Sequence, residues 1–168
     1  MYKTRGDLDV AEGYYREVLD GFRRVFGAQH PNTLTMMSNL GMLQMSRESY
    51  SDAAVTLEEA LAARTEVLGA EHSDTLTSLV ALGVCRMRQG QVAEAEPLIR
   101  TAVETAEGTL PDDHPLTAIF THNLGECLTM LQHYDEAESR LLACHSVMTD
   151  VFGAEHTRTR KTAAALIK

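Results

Sequence analysis

The chain has 168 residues and carries 24 acidic against 15 basic side chains, a formal charge of −9 that repels polyanions, so nucleic acid is not an expected partner. No apolar run approaches the roughly 18–20 residues that cross a bilayer, and Met1-Tyr2-Lys3-Thr4-Arg5 offers no apolar signal core, so no membrane contact is expected. With 44% hydrophobic residues but 5% aromatics and no Trp, the core has to come from Ala, Leu, Val and Met, which favours closely packed helices.

A period of 42 residues organises the chain. His30, His72, His114 and His156 keep that step, as do Thr33, Thr75, Thr117 and Thr159. So do Ala11, Ala53, Ala95 and Ala137, and Leu40, Leu82, Leu124 and Leu166. Gly41, Gly83 and Gly125 follow the first three leucines, and Gly27, Gly69 and Gly153 share a further register in which Pro111 holds the third place. Registers held in phase over four copies are not chance, and the length is four periods.

In chain order, Leu8, Ala11, Tyr15, Val18, Leu19, Phe22, Val25 and Phe26 follow helical spacing. They predict a long helix that Gly27 ends, because Gly tolerates the left-handed cap conformation. His30-Pro31-Asn32-Thr33 opens a shorter helix, where Pro suits a first turn and Asn or Thr can cap free N–H groups. Met37, Leu40, Gly41 and Leu43 carry it, and fraying is expected near Ser46 to Ser49. Tyr50, Ala53, Leu57, Ala60, Leu61, Val67 and Leu68 predict the next long helix, stopped by Gly69. The alternation repeats until Tyr134, Ala137, Leu141, Cys144, Met148, Val151 and Phe152 mark the last long helix, stopped by Gly153. Pro97, about five residues into its helix, leaves the carbonyl of residue 93 without its N–H and predicts a bend or a late start. No stretch alternates with period two, so the expected class is all-α. A short and a long helix fall in each of 31–69, 73–110 and 115–153, with a long one in 1–27 and a short one in 157–168.

These positions resemble the tetratricopeptide repeat, which has Leu-Gly in the first helix of each unit, then Ala and a large apolar residue four positions on in the second. The match is Leu40-Gly41 with Ala53 and Leu57, Leu82-Gly83 with Ala95 and Ile99, and Leu124-Gly125 with Ala137 and Leu141. The 42-residue unit, the Gly-Ala-Glu-His turn and the run Ala95-Glu96-Pro97-Leu98 are similar to the kinesin light chain subtype. That subtype also occurs in proteins with no motor role, large signalling ATPases among them. The resemblance covers the whole chain and implies a right-handed α-α superhelix of antiparallel helix pairs, a tetratricopeptide repeat solenoid. The chain departs from the family at its first-helix aromatic, here Met37, Leu79 or Thr121, and at its Tyr, here Gln44, Arg86 or Leu128. Tyr2 falls on the family's first-helix Tyr and Gly6 on the glycine that follows, so Met1 to Arg5 are expected as the tail of an earlier helix. Thr159 to Lys168 are expected as a first helix stopping just past Leu166. Arrays usually end in polar capping helices, so two open ends suggest a piece of a longer array; the alternative is a short protein that pairs through its ends.

The resemblance further implies a concave groove lined by the first helices. It places there Ser38, Asn39, Met42, Met45 and Ser46; Val80, Ala81, Val84, Met87 and Arg88; and His122, Asn123, Glu126, Thr129 and Met130, each set on one helix face. In kinesin light chains, asparagines preceding the Leu hold an extended cargo peptide by its backbone; Asn39 and Asn123 match that position and Ala81 does not. An amide both donates and accepts, so it can grip a peptide bond without reading sequence. The alternative is that both are ordinary exposed or capping amides. Four methionines and one clear cation, Arg88, suit a protein or peptide with apolar anchors better than one rich in Asp and Glu. For Met42, Met45 and Met87 the alternative is core packing between pairs. The carboxylate clamp of co-chaperone tetratricopeptide domains is absent, since Ser38, Met42, Val80, Ala81 and Val84 hold its places.

Catalysis, metals and cofactors are not expected. Histidines on repeats about 10 Å apart cannot share an ion whose bonds are near 2.0–2.1 Å, and a repeated turn residue that bonds a helix end explains their spacing. Cys85 and Cys127 are repeat-equivalent and fit buried small positions, while the neighbours Cys144 and His145 point to different sides of a helix. Three cysteines make no disulfide framework and fit a reducing, cytoplasmic compartment. Glu58, Glu59, Glu94, Glu96, Glu136 and Glu138 are expected on a solvated convex face. Two functions remain: a module that captures a partner's peptide or helix in the groove, and a structural or regulatory segment acting by self-association or packing within an array.

Overall fold

The computed structural model describes residues 5–166, and the expectations for residues 1–4 and 167–168 lie outside them. The described residues form eight helices and no strand: α1 (Arg5–Phe26), α2 (Pro31–Ser46), α3 (Tyr50–Leu68), α4 (Ser73–Arg88), α5 (Val92–Thr109), α6 (Pro115–Met130), α7 (Tyr134–Phe152) and α8 (Thr157–Ala165). Each helix packs on the next, and α4 also touches α2 and α6 directly, the arrangement of a helical repeat solenoid. Arg5 and Gly6, expected at the end of an earlier helix, instead open α1. A glycine costs a helix only about 1 kcal/mol, too little to end one in its first turn.

The period recurs as a set of hydrogen bonds. Nδ1 of His30, His72, His114 and His156 accepts the backbone N–H of Asn32, Asp74, Leu116 and Arg158 at 3.1–3.3 Å. The imidazole is therefore the cap, in line with the histidines as repeated turn residues that bond a helix end, and the Asn and Thr that could also have capped do not take that place. Thr33 serves another purpose: its hydroxyl donates to the Gly27 carbonyl at 2.8 Å and ties the short helix to the end of the long one. Thr159 likewise donates to the Met148 carbonyl at 3.2 Å.

Long helices stop at Gly27, Gly69 and Gly153, with φ of 95°, 90° and 85°. For Gly69 and Gly153, ψ is 161° and 156°, a region almost closed to other residues and distinct from the left-handed helical cap expected. Where Pro111 replaces the glycine, α5 stops at Thr109 and Leu110 caps it at an ordinary φ of −105°. The short helices do not fray. The Ser49 N–H donates to the Gln44 carbonyl at 2.9 Å and the Glu48 N–H to Met45 at 3.0 Å, the paired bonds of a Schellman turn. Gly90 with Gln91, and Gln132 with His133, repeat it.

The pairs close on glycine. A Cβ on Gly41, Gly83 or Gly125 would come within 2.8, 2.5 and 2.5 Å of Leu57, Ile99 and Leu141. Those three side chains and Ala53, Ala95 and Ala137 are at most 2% exposed. Several acidic residues of the long helices do more than face solvent. Glu58 pairs with Arg86, and Arg100 bridges Glu96 to Glu136, which joins neighbouring repeats and holds the Glu136 carboxyl below its usual range. Helix α5 starts at Val92, in register with Tyr50 and Tyr134, so Pro97 delays nothing. Ala93 and Pro97 are both exposed, where water can replace the missing donor.

Candidate functional site: a trough along the first helices

Helices α4, α6 and α8 border two adjoining hollows that share Val84, Arg88, Glu126 and Ala165. The smaller, about 210 Å³, reaches Thr129 and Met130; the larger, about 430 Å³, reaches His122, Asn123, Arg158 and Lys161. The expected groove residues divide by exposure. Asn39, Met42, Ser46, Arg88, Glu126 and Met130 are exposed, and Ser38, Met45, Ala81, Val84, His122, Asn123 and Thr129 are half-buried. Val80 lies in the core rather than on the groove, and Met87 takes the core alternative; both pack with Leu76, Ile99 and Leu124, because direct contact between α4 and α6 covers that side of α4. Met87 also lines the smaller hollow.

Hydrogen-bonding capacity at the expected groove positions is already partly used. Ser38, Ser46 and Thr129 donate their hydroxyls to the carbonyls of Leu34, Met42 and Gly125 in their own helices. Asn123 Nδ2 donates to the Ile119 carbonyl at 2.7 Å, leaving its Oδ1 as an acceptor. Asn39 is exposed and makes no side-chain hydrogen bond with a described residue, so both ends of its amide are unused.

The electrostatics differ from expectation. Arg158 and Lys161 of α8 join Arg88 around the larger hollow, and none of the three is ion-paired among the described residues. Arg158 lies over the Phe152 ring, 5.9 Å from its centroid. One further 42-residue step from the groove positions of α6 reaches Ala164 and Ala165, which do line the hollow. Arg158 and Lys161 repeat Leu116 and Ile119, which lie outside the expected groove set although Ile119 lines the hollow, and neither is charged, so the period carried no signal for the cations.

His122 sits at the base of this basic end. Its Nδ1 is 3.0 Å from Thr162 Oγ1 and its Nε2 is 3.8 Å from Glu126. Burial holds the imidazole below its usual pKa, Glu126 pulls it up and Lys161 pushes it down. The order Thr, His, Glu imitates a nucleophile chain, but Thr162 is 0% exposed and its hydroxyl also contacts the Arg158 carbonyl and Met148 Sδ, so no substrate reaches it. The three cysteines are buried and free, and burial pushes the thiols of Cys127 and Cys144 up to about 11 and about 12, far from a reactive thiolate at neutral pH. Among the described residues no group of three His, Cys, Asp or Glu could hold a metal ion, and no helix is long and apolar enough to cross a membrane.

A family model described as tetratricopeptide repeat matches residues 1–66 and 74–150, and a second of the same description matches 38–109. No curated protein matches the chain. Solved structures share the fold. The nearly identical TPR-like repeats of a Podosopora anserina putative kinesin light chain superpose with a TM-score of 0.76 at 22% identity, covering 96% of this chain and 76% of that one. BtubC (BKLC) from P. vanneervenii gives 0.76 at 17% identity, covering 92% and 62%. PcrH in complex with the chaperone binding region of PopB gives 0.61 at 20% identity, covering 82% and 97%.

Proposed function

The chain belongs to the tetratricopeptide repeat family, and on that premise we propose that it is a non-catalytic, cytoplasmic interaction module whose first-helix trough captures a peptide or helix of a partner protein. The observation that carries this reading is the hollow of about 430 Å³ lined by Arg88, Arg158 and Lys161, none of them ion-paired among the described residues, against one carboxylate, Glu126. Met130 of the adjoining smaller hollow is 53% exposed, and Met42 on α2 is 51% exposed. Unpaired cations next to flexible thioethers suit a mixed segment, with apolar anchors against the methionines and Val84 and an acidic side chain or carboxylate at the α8 end. The amides of Asn39 and Asn123 would hold its backbone. The PcrH structure, which contains the chaperone binding region of PopB, supports a protein segment as the class of ligand.

The test is a peptide array probed with the intact chain. Acidic-apolar peptides should be retained, Arg88→Glu with Lys161→Glu should abolish retention, and Asn39→Ala with Asn123→Ala should weaken every bound peptide alike at unchanged helicity. Retention that ignores the charge reversals would refute the trough.

The second reading, a segment that acts by packing against another helix, rests on α1. Val10, Tyr14, Val18 and Val25 are 60%, 65%, 40% and 75% exposed there, although Ala60, Ala102 and Cys144, the repeat equivalents of Val18, are at most 3% exposed.

A further inference from the structure

This acidic chain leaves few cations free. Arg16, Arg23, Arg47, Arg86, Arg100 and Arg140 each pair with a carboxylate, the outcome expected when 24 acidic residues face 15 basic ones. Arg88, Arg158 and Lys161 escape such pairing among the described residues, and all three are exposed and line one hollow. Arg24 and Arg160 have no carboxylate partner either, but they line neither hollow of the trough. Arg158 and Lys161 stand at i and i+3 on α8 and so share a helix face, while Arg88 is the last residue of α4.

The charge count selects the ligand. Glu126 is the one carboxylate in the lining, and burial holds the His122 imidazole below its usual pKa, so it is mainly uncharged at neutral pH. Three cations against one carboxylate leave an excess of two positive charges. A single Asp, Glu or terminal carboxylate neutralises only one of them. A phosphomonoester carries about −1.5 to −2 at pH 7 and offers three strong acceptor oxygens, which guanidinium forks and an ammonium bind through charge-assisted hydrogen bonds. A polyanion is disfavoured, because the chain as a whole carries −9.

The surroundings suit phosphate carried on a peptide better than the free ion. Asn123 Oδ1 is an acceptor, so it meets a backbone N–H well and a phosphate oxygen poorly. Val84 and Ala165 continue from this hollow into the smaller one beside Met130, which gives apolar neighbours of the charged residue a place to lie. Resting on the trough reading above, we propose that the α8 end of the trough receives one phosphoserine of the partner segment, with Arg88, Arg158 and Lys161 around its phosphate.

The experiment measures binding of the full chain to three libraries of degenerate Leu, Met and Ala peptides, blocked at both ends and differing only in a fixed central phosphoserine, Glu or Ser. Phosphoserine should bind about tenfold tighter than Glu, the worth of one further charge-assisted hydrogen bond, and Ser should bind weakest. Lys161→Gln lowers the charge excess to one and should remove most of the preference for phosphoserine over Glu. Glu126→Gln raises the excess to three and should tighten phosphoserine binding; circular dichroism checks that both variants fold. Inorganic phosphate, titrated by NMR and read at Asn123 and Ala164, should bind more weakly than the phosphoserine library. Equal affinity for phosphoserine and Glu, an unchanged preference in folded Lys161→Gln, or inorganic phosphate binding as tightly as the phosphopeptides would overturn the proposal and leave the trough reading standing. Binding of none of the three libraries would sink both.

Discussion

Glu48 and Gln132 hold φ of 62° and 64° in the position where the middle copy has Gly90. The Schellman hydrogen bonds impose that backbone, which costs a side-chain-bearing residue about 1–2 kcal/mol. Both residues are exposed and have little packing to lose, so Glu48→Gly and Gln132→Gly should each raise unfolding stability by roughly 0.5–1 kcal/mol in urea titrations. Arg64 presents the opposite case, a cation only 6% exposed whose guanidinium donates to Ser78 Oγ and the Asp74 carbonyl but meets no carboxylate directly. Its repeat equivalents are Phe22, Ala106 and Met148. Arg64→Met should therefore be neutral or stabilising, by up to about 2 kcal/mol, since Ser78 keeps its bond to the Asp74 carbonyl. A lower melting temperature would show that the buried hydrogen bonds outweigh the desolvated charge. His122 links stability to pH. Burial keeps its folded pKa below the unfolded value of 6.5, so the unfolded chain takes up the proton first as pH falls. Its contribution is thus complete above that value and declines below it until the folded imidazole also titrates. His122→Gln should flatten this part of the stability profile, measured as the urea midpoint between about pH 7.5 and pH 5.

At the scale of helices, the two kinds of glycine should respond oppositely to alanine. In Gly125→Ala the new Cβ would meet Leu141 Cγ at 2.5 Å and both its methyl groups within 3.3 Å, so the whole side chain must move. Overpacking costs about 1–3 kcal/mol and outweighs the gain in helix propensity of at most about 1 kcal/mol. Gly13 in α1 has nothing within 4 Å, so Gly13→Ala should stabilise by about 0.5–1 kcal/mol, and calorimetry on the two variants reads both signs. This contrast was legible in the sequence, because Gly41, Gly83 and Gly125 recur opposite Leu57, Ile99 and Leu141 while Gly13 has no such register. Helix type was legible for the same reason: burial repeats at fixed steps. Local hydrogen-bond chemistry was less so. The histidine register showed a turn residue bonding a helix end, but not that Thr33 ties back to the Gly27 carbonyl. The motif of Ser46 to Ser49 looks frayed without knowledge of its Schellman bonds, and Gly6 looked like a turn because its register was carried over from later copies.

For the molecule as a whole, periodicity exposes what repeats and hides what does not. The cations Arg158 and Lys161 stand at positions where the copies disagree, and such a departure has meaning only once packing shows what it faces. Stability should follow the same logic. In a stack, each unit is held by its neighbours, so protection accumulates toward the middle. The cluster that includes Leu76, Ile99, Phe120 and Leu128 joins α4, α5 and α6, whereas the nine-residue α8 packs chiefly on α7, and α1 leaves Val10 and Tyr14 in solvent. Amide hydrogen exchange is therefore expected to be slowest in α5 and α6 and fastest in α8, with α1 between them. Protein concentration separates the two readings of function. A chain that works through its trough should show α1 protection that does not change on dilution. Protection of α1 that rises with concentration, confined to the face of Val10, Tyr14 and Val18, would mean that another helix covers it and would favour the packing role instead.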